Sequence, residues 1–384
     1  MTPYPSKAPV SLNEPQPSAL SDLRVLDLTS GLGAYCTKLL ADLGADVVRV
    51  EPPGGSTLRF QGSFYHQEPH PDRSLTWLFL NTNKRSITLD LQTSDGRFLL
   101  KRLAVWASVL VEDATPGTMD GLGLGYGDLK AGNPRLVFTS ITPYGQTGPY
   151  AHYAASDLTS QAMGGAIKRV GWPDEPPNST VGGQVANQVG SQAAGATLAA
   201  VYYRDLTGKG QQIDISAHEA MAVVDWDALP RYALAGGVIP RGAKPGEVRA
   251  VGGTGLHARR IWPAKDAKLR FVLIQTVTPQ KEWQRFVEWL EEYGMADDLK
   301  GPDWTALEHR MAHLHHIEDV TERFLASIPA RRAMDEGQAK GLQVMGYGRI
   351  HELLDDPQLS GEGFFVQVEH PELGDTLTYP GGPY

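Results

Sequence analysis

Three kinds of position in this chain carry residue types able to do chemistry. The first is Val25-Leu-Asp-Leu-Thr-Ser-Gly-Leu-Gly33, an apolar run ending in a turn with two glycines. Glycines let a backbone approach a ligand closely, and the amides of Ser30, Gly31, Leu32 and Gly33, ahead of a helix, can hold an anion. Glu51, about 20 residues on, is of the type that accepts hydrogen bonds from ribose hydroxyls. A full dinucleotide fingerprint needs a third glycine, where Cys36 stands. The second is a pair of aspartates, Asp174 in Gly171-Trp-Pro-Asp-Glu-Pro-Pro177 and Asp157 in Ala155-Ser-Asp-Leu-Thr-Ser-Gln-Ala162. On residue type alone, Asp174 starts a turn and Asp157 caps the helix that begins there. The third is histidine. His313, His315 and His316 lie in a polar helical stretch without a second ligand set, and His218-Glu219 lacks the second His of a zinc-protease helix, so no metal is expected.

The elements that must hold these residues follow from periodicity. Arg24–Leu28 reads as a strand, Thr29–Gly33 as a turn and Ala34–Leu43 as a helix with Cys36, Leu39, Leu40 and Leu43 on one face. Gly44 stops that helix and Asp46–Val50 is the next strand, so the unit is β-α-β, the building block of a parallel sheet with ligands at its carboxyl edge. Strands at 86–91, 108–112 and 135–141 and a helix at 96–106 continue one α/β domain. Residues 143–188 read as a site loop and 191–203 as a closely packed helix of small residues. The stretch 229–255 is loop-rich. A strand at 269–276 and a helix at 279–293 make a smaller second domain, followed by a helical run at 317–339 and an alternating segment at 363–369.

Composition narrows the class of function. With 384 residues the chain has room for two or three domains. Its net charge of −9 argues against a nucleic-acid protein. The 42 glycines and 27 prolines imply many backbone-built loops. No run approaches the roughly 20 apolar residues of a membrane span. The lone Cys36 cannot form an internal disulfide, which fits a reducing cytoplasm. Met1 to Leu20 lacks the order of a secretory signal and reads as a flexible arm.

Taken alone, the opening motif resembles that of an S-adenosylmethionine methyltransferase. The whole chain resembles the class III coenzyme A transferases of the CaiB/BaiF type, which include formyl-CoA and carnitine CoA-transferases. The likeness runs in order through Val25-Leu-Asp-Leu28, Cys36-Thr37, Leu39-Leu-Ala-Asp-Leu-Gly-Ala-Asp-Val47, Val50-Glu-Pro-Pro-Gly-Gly55, Asn83-Lys-Arg-Ser86 and Leu89-Asp-Leu91. It continues through Pro116-Gly-Thr-Met119, Leu122-Gly-Leu-Gly-Tyr126, Asn133-Pro-Arg-Leu-Val137, Tyr144-Gly-Gln-Thr-Gly-Pro-Tyr150, Arg204, Thr207-Gly-Lys-Gly-Gln211 and Ile213-Asp-Ile-Ser216.

The resemblance implies an α/β fold: a Rossmann-like large domain with a parallel sheet (residues 21–225 and 330–384), a linker and smaller α+β domain (226–329), and two chains interlocked as a homodimer. It implies transfer of coenzyme A from an acyl-CoA to a carboxylic acid, with no permanently bound cofactor. Asp174 matches the family's nucleophile. A carboxylate suits this task because its attack on a thioester forms a mixed anhydride reactive enough for the thiolate to re-attack. Asp157 matches the acid/base of the related α-methylacyl-CoA racemases, although Ser156 and Leu158-Thr159-Ser160 depart from the racemase pattern. Where the transferases often carry Arg, Asn-Phe and Arg, this chain has Pro52, Asp113-Ala114 and Gly121. Coenzyme contacts are therefore expected from Ser30, Gly31, Leu32, Gly33, Arg59, Lys84, Arg85, Leu89, Asp113 and Tyr144. Those departures also motivate an alternative, a non-catalytic subunit of a hetero-oligomeric transferase. Gly252-Gly253-Thr-Gly255 is either a hinge or a glycine loop that closes over the aspartate. The family's chains usually continue past a Pro-Gly-Gly-Pro turn such as 380–383 with another helical segment.

Overall fold

The computed structural model describes residues 18–171, 174–226, 228–238, 241, 250–251, 255–256, 262–266, 280–346 and 349–382. The expected strand at 269–276 and the glycines at 252–253 lie outside these. The described residues form two compact units, one drawn from Met1–Ala166, Ser179–Asp225 and Gln367–Tyr384, the other from Ile167–Asn178 and Trp226–Val366.

The first unit is a six-stranded parallel sheet. In chain order its elements are β1 (Arg24–Leu28), α1 (Ala34–Asp42), β2 (Asp46–Glu51), α2 (Leu75–Leu80), β3 (Lys84–Thr88), α3 (Ser94–Trp106) and β4 (Val109–Glu112). There follow α4 (Thr118–Gly121), α5 (Tyr126–Gly132), β5 (Val137–Thr142), α6 (Asp157–Met163), α7 (Gln184–Thr207), β6 (Gln212–Ser216) and α8 (Ala217–Ala222). The strand order β3-β2-β1-β4-β5-β6 is that of a doubly wound sheet. Val25 sits beside Val47 on one side and Val109 on the other.

Alternation along each strand sorts the core into two layers. Val25, Val47, Val109, Val111, Val137 and Ile141 face α1 and α7. Leu26, Val48, Leu110 and Phe138 instead meet Leu100 of α3 and Leu129 of α5. A Cβ on Gly190 of α7 would lie 2.9 Å from the Cys36 backbone nitrogen, so the small residues that marked this helix let it lie close against α1.

Helical structure exceeds the sequence expectation in several places. The stretch 143–188 contains α6 and the start of α7, which is 24 residues long. Its Gly- and Ala-rich sequence carries too weak a pattern to reveal its first two turns. Pro329 divides the expected run at 317–339 into helices Leu314–Ser327 and Ala330–Ala339. Residues 228–235, within a stretch read as loop, are helical.

In the second unit, helices Gln280–Glu292, Leu314–Ser327 and Ala330–Ala339 enclose Trp283, Phe286, Trp289, Leu290, Phe324 and Leu325. Ala333, Leu342 and Val344 belong to this cluster. The chain thus rejoins the sheet unit with Gln367–Tyr384, whereas the expected division assigned it everything from 330. Tyr379 of that final segment packs with Ala34, Leu58, Trp77 and Leu78. Among the described residues, no helix is long and apolar enough to cross a membrane.

Candidate active site

The sheet reverses its winding between β1 and β4, which is where such sheets bind ligands, at the strands' carboxyl ends. Here the turn after β1 meets the segment after β4. The Asp113 carboxylate accepts hydrogen bonds from the Ser30 amide at 2.5 Å, the Gly31 amide at 2.9 Å and the Gly33 amide at 3.0 Å, and from the Ser30 hydroxyl at 2.9 Å. The amides expected to await an anionic ligand therefore already hold a side chain. Asp113 acts as a remote cap for α1, whose own first turn carries no acidic residue.

Beneath this turn lies a buried polar knot. Asp27, fully buried, accepts from Thr29, Thr37, Arg49 and Lys84, the last two at 3.0 and 2.9 Å. Burial alone would raise its pKa, but the Lys84 and Arg49 charges and the Thr29 hydrogen bonds outweigh it and hold the carboxyl well below its usual range. Lys84 also donates to Ala34 O and Thr37 Oγ1, with its side chain 1% exposed. It is a structural cation, not a surface phosphate partner.

The other expected coenzyme contacts are similarly engaged. Arg59 pairs with both oxygens of Glu51 at 2.7 and 2.8 Å and with Asp72 at 2.8 Å, its guanidinium 3.8 Å from the Trp77 ring centroid. Glu51 also accepts from Ser86 Oγ and the Ser56 amide, so it is no waiting ribose acceptor. Burial would raise its pKa, yet Arg59, Ser86 and Ser56 bring it down to about 2. Arg85 grips Asp46, the first residue of β2, at the sheet edge opposite the β1 turn. Leu89 packs in the α3 layer of the core.

A cavity of about 1050 Å³ opens beside the β1 turn. Ser30, Gly31, Leu32, Asp113 and Asp157 line it, together with apolar Leu58, Leu75, Phe79, Tyr153 and Val185 and polar Gln61, Thr76 and Asn187. Tyr144 stands behind Tyr153, edge-on at 6.3 Å. Asp157 is not the cap of α6, because Ser156 fills that place in a capping box with Thr159. Its carboxylate instead accepts from the Val185 amide at the start of α7 at 3.0 Å and from Gln161 at 2.5 Å. Asp174 belongs to the second unit. It is exposed, in a loop closed by the Asn178 amide donating to Val170 O at 3.1 Å. Arg241 ties the same loop by donating to Lys168 O and Glu175 O.

The CoA-transferase family III model matches residues 20–384. The chain belongs to that family. It is 34% identical over 95% of its length to the succinyl-CoA:(R)-benzylsuccinate CoA-transferase subunit BbsE of Thauera aromatica, covering 87% of that protein. It is 32% identical to a formyl-CoA:oxalate CoA-transferase of Streptomyces avermitilis, over 94% of this chain and 88% of that one. The crystal structure of a CaiB/BaiF family protein from Brucella suis superposes with a TM-score of 0.80 at 26% identity, covering 96% of this chain and 93% of the other. The methyltransferase reading of the opening motif gives way, because the family match takes in that motif and everything after it.

In this family III CoA-transferase the structure therefore gathers Ser30, Gly31, Leu32, Asp113 and Asp157 around one cavity, with the Gly33 amide bound to Asp113 and Tyr144 beside Tyr153 of the lining. It places Lys84, Arg59, Arg85 and Leu89 in the scaffold. Sequence reading passed over Asp27 and Arg49, although a charge inside an apolar strand is itself the sign of a buried ion pair. It also missed Leu58, Leu75, Phe79 and Tyr153, which no local pattern marks as a wall. Among the described residues, no group of three or more His, Cys, Asp or Glu is arranged to hold a metal; His316 pairs with Asp298 and stacks on Trp304.

Proposed function

We propose that this chain moves coenzyme A from an acyl-CoA to a free carboxylic acid through a covalent intermediate on Asp174, in the cytoplasm and without a permanently bound cofactor. The Asp174 carboxylate attacks the thioester carbonyl, a C–O bond forms and the C–S bond breaks, leaving a mixed anhydride and the coenzyme A thiolate. The thiolate attacks the aspartyl carbonyl and expels the donor acid, giving an aspartyl thioester. The acceptor carboxylate then repeats the sequence in reverse and frees Asp174. Supporting this reading is an exposed aspartate, which the sequence resemblance matches to the nucleophile, in a loop held by Arg241 donating to Lys168 O and Glu175 O.

Incubation with acyl-CoA followed by hydroxylamine should leave a modification on Asp174 detectable by mass spectrometry, and Asp174→Ala should abolish transfer. Full transfer activity in that variant overturns the reading. A homodimer is part of the proposal, with light scattering as its check. One observation favours a second reading, a subunit that works only beside a homologous partner: Lys84, Arg59 and Arg85 are all engaged in ion pairs. It predicts no coenzyme A binding by this chain alone and activity on addition of the partner.

A further inference from the structure

Glu112, the last residue of β4, is 3% exposed, and among the described residues no cation pairs with it. Its carboxylate accepts from the Ala114 amide at 2.8 Å, and the charges that act on it most, Asp113 and Asp120, are negative. Buried charges in proteins are paired or coordinate metals.

Strand register sets Glu112 beside Ser140 of β5, on the face that carries Leu110 and Phe138. Ser140 is 1% exposed, and its Oγ, close enough to ease the Glu112 charge, completes no hydrogen bond of ordinary geometry among the described residues. Thr142, two residues on and on the same face, is fully buried with its Oγ1 likewise unpartnered. An unpartnered buried hydroxyl is costly, so such groups mark the place of something that satisfies them.

Glu112 and Ser140 line a hollow of about 10 Å³, room for one water-sized atom, together with Thr115, Asp120, Gln146 and Gln212. Each of these side chains offers oxygen, two of them as carboxylates, and the described lining includes no lysine, arginine or histidine. Gly125, just before α5, admits Asp120: a Cβ there would lie 1.8 Å from its carboxylate oxygen. A water in the hollow would satisfy Ser140 but leave the Glu112 charge unneutralised. A magnesium ion keeps several waters, for which a one-atom space has no room. A dehydrated monovalent cation fits both the volume and the all-oxygen lining, with protein oxygens in place of its hydration shell.

On this ground we propose a site for one monovalent cation of the potassium class between Glu112 and Ser140, completed by oxygens of Asp120, Gln146 and Gln212. The site stands apart from the transferase reading. Asp113, the next residue in the chain, holds the β1 turn, so an ion here also steadies that turn.

The test is thermal unfolding of the full chain at pH 8 and a constant ionic strength of about 0.15 M, in choline chloride and in mixtures of it with potassium, calcium or magnesium chloride. Potassium should raise the melting temperature by about 3 °C or more over choline, and the rise should saturate. Glu112→Gln should abolish the rise, and Ser140→Ala should increase the half-saturating concentration by about tenfold, the loss of one contact to a charge. Equal melting in potassium and choline overturns the proposal, as does a potassium rise that survives Glu112→Gln. A rise in calcium or magnesium alone overturns the choice of a monovalent ion. Crystals grown in rubidium chloride give an independent reading: an anomalous peak is expected between Glu112 and Ser140, and a peak elsewhere without one there overturns the assignment.

Discussion

Asp113 Oδ2 lies 2.9 Å from the Gly31 amide nitrogen, so the anion site at the start of α1 is occupied from within by a side chain 82 residues away in sequence. A glycine turn before a helix draws an anion because its first amides have no intrahelical partners. Here the anion is supplied by the end of the neighbouring strand, joining β4 to the β1 turn.

Removing that carboxylate should expose the amides. Asp113→Ala is expected to lower stability by about 0.5–2 kcal/mol, the usual range for a lost helix cap. It should also make the protein responsive to added sulfate. A thermal-shift titration at constant ionic strength checks this: the variant's melting temperature should rise with sulfate well beyond the wild-type response. Equal responses would show that the turn collapses without Asp113.

Lys84 and Arg85 are adjacent in sequence and opposite in environment, 1% and 67% exposed in their side chains. Lys84→Met leaves Asp27 short of one of its two cations and should cost about 3–5 kcal/mol in urea unfolding. Arg85→Ala breaks an exposed pair with Asp46 and should cost less than about 1 kcal/mol. Neither substitution should raise the KM for acyl-CoA in the fraction that folds. A raised KM for Arg85→Ala alone would return that residue to the coenzyme site.

Glu112, at the end of β4, is 3% exposed. Burial, aided by the charges of Asp113 and Asp120, pushes its carboxyl up to about 7 from an ordinary 4.5. A raised acid stabilises the fold in its protonated form. That contribution is therefore complete below about pH 4.5 and is lost as pH climbs through 7. Glu112→Gln should gain stability over wild type by up to about 3 kcal/mol at pH 8 and by almost nothing at pH 4. Urea titrations at the two pH values decide it, and an equal gain at both would assign the effect to packing.

Much of the scaffold was legible along the chain. Val25 and Leu26, Val47 and Val48, Val109 and Leu110 alternate in strands buried on both faces, and the β-α-β order follows from the short turns between them. The opening turn was visible as a candidate because its glycines carry that chemistry by residue type, whereas Asp113 and Asp157 became candidates only through the family resemblance. What each of them touches was not visible. Lys84 reads as a surface cation in Asn83-Lys-Arg-Ser86, and only the pairing of β3 with β2 brings it beneath α1, 57 residues from Asp27. Asp113 reads as a ligand contact until the β1–β4 pairing sets it against the amides of Ser30, Gly31 and Gly33. Sequence by itself determined strands β1, β2, β4 and β5 and helices α1 and α3, since periodicity is local. Tertiary structure alone decided which charges neutralise one another and which remain to face a cavity, because ion pairs and caps depend on strand register across tens of residues, and no local pattern records it.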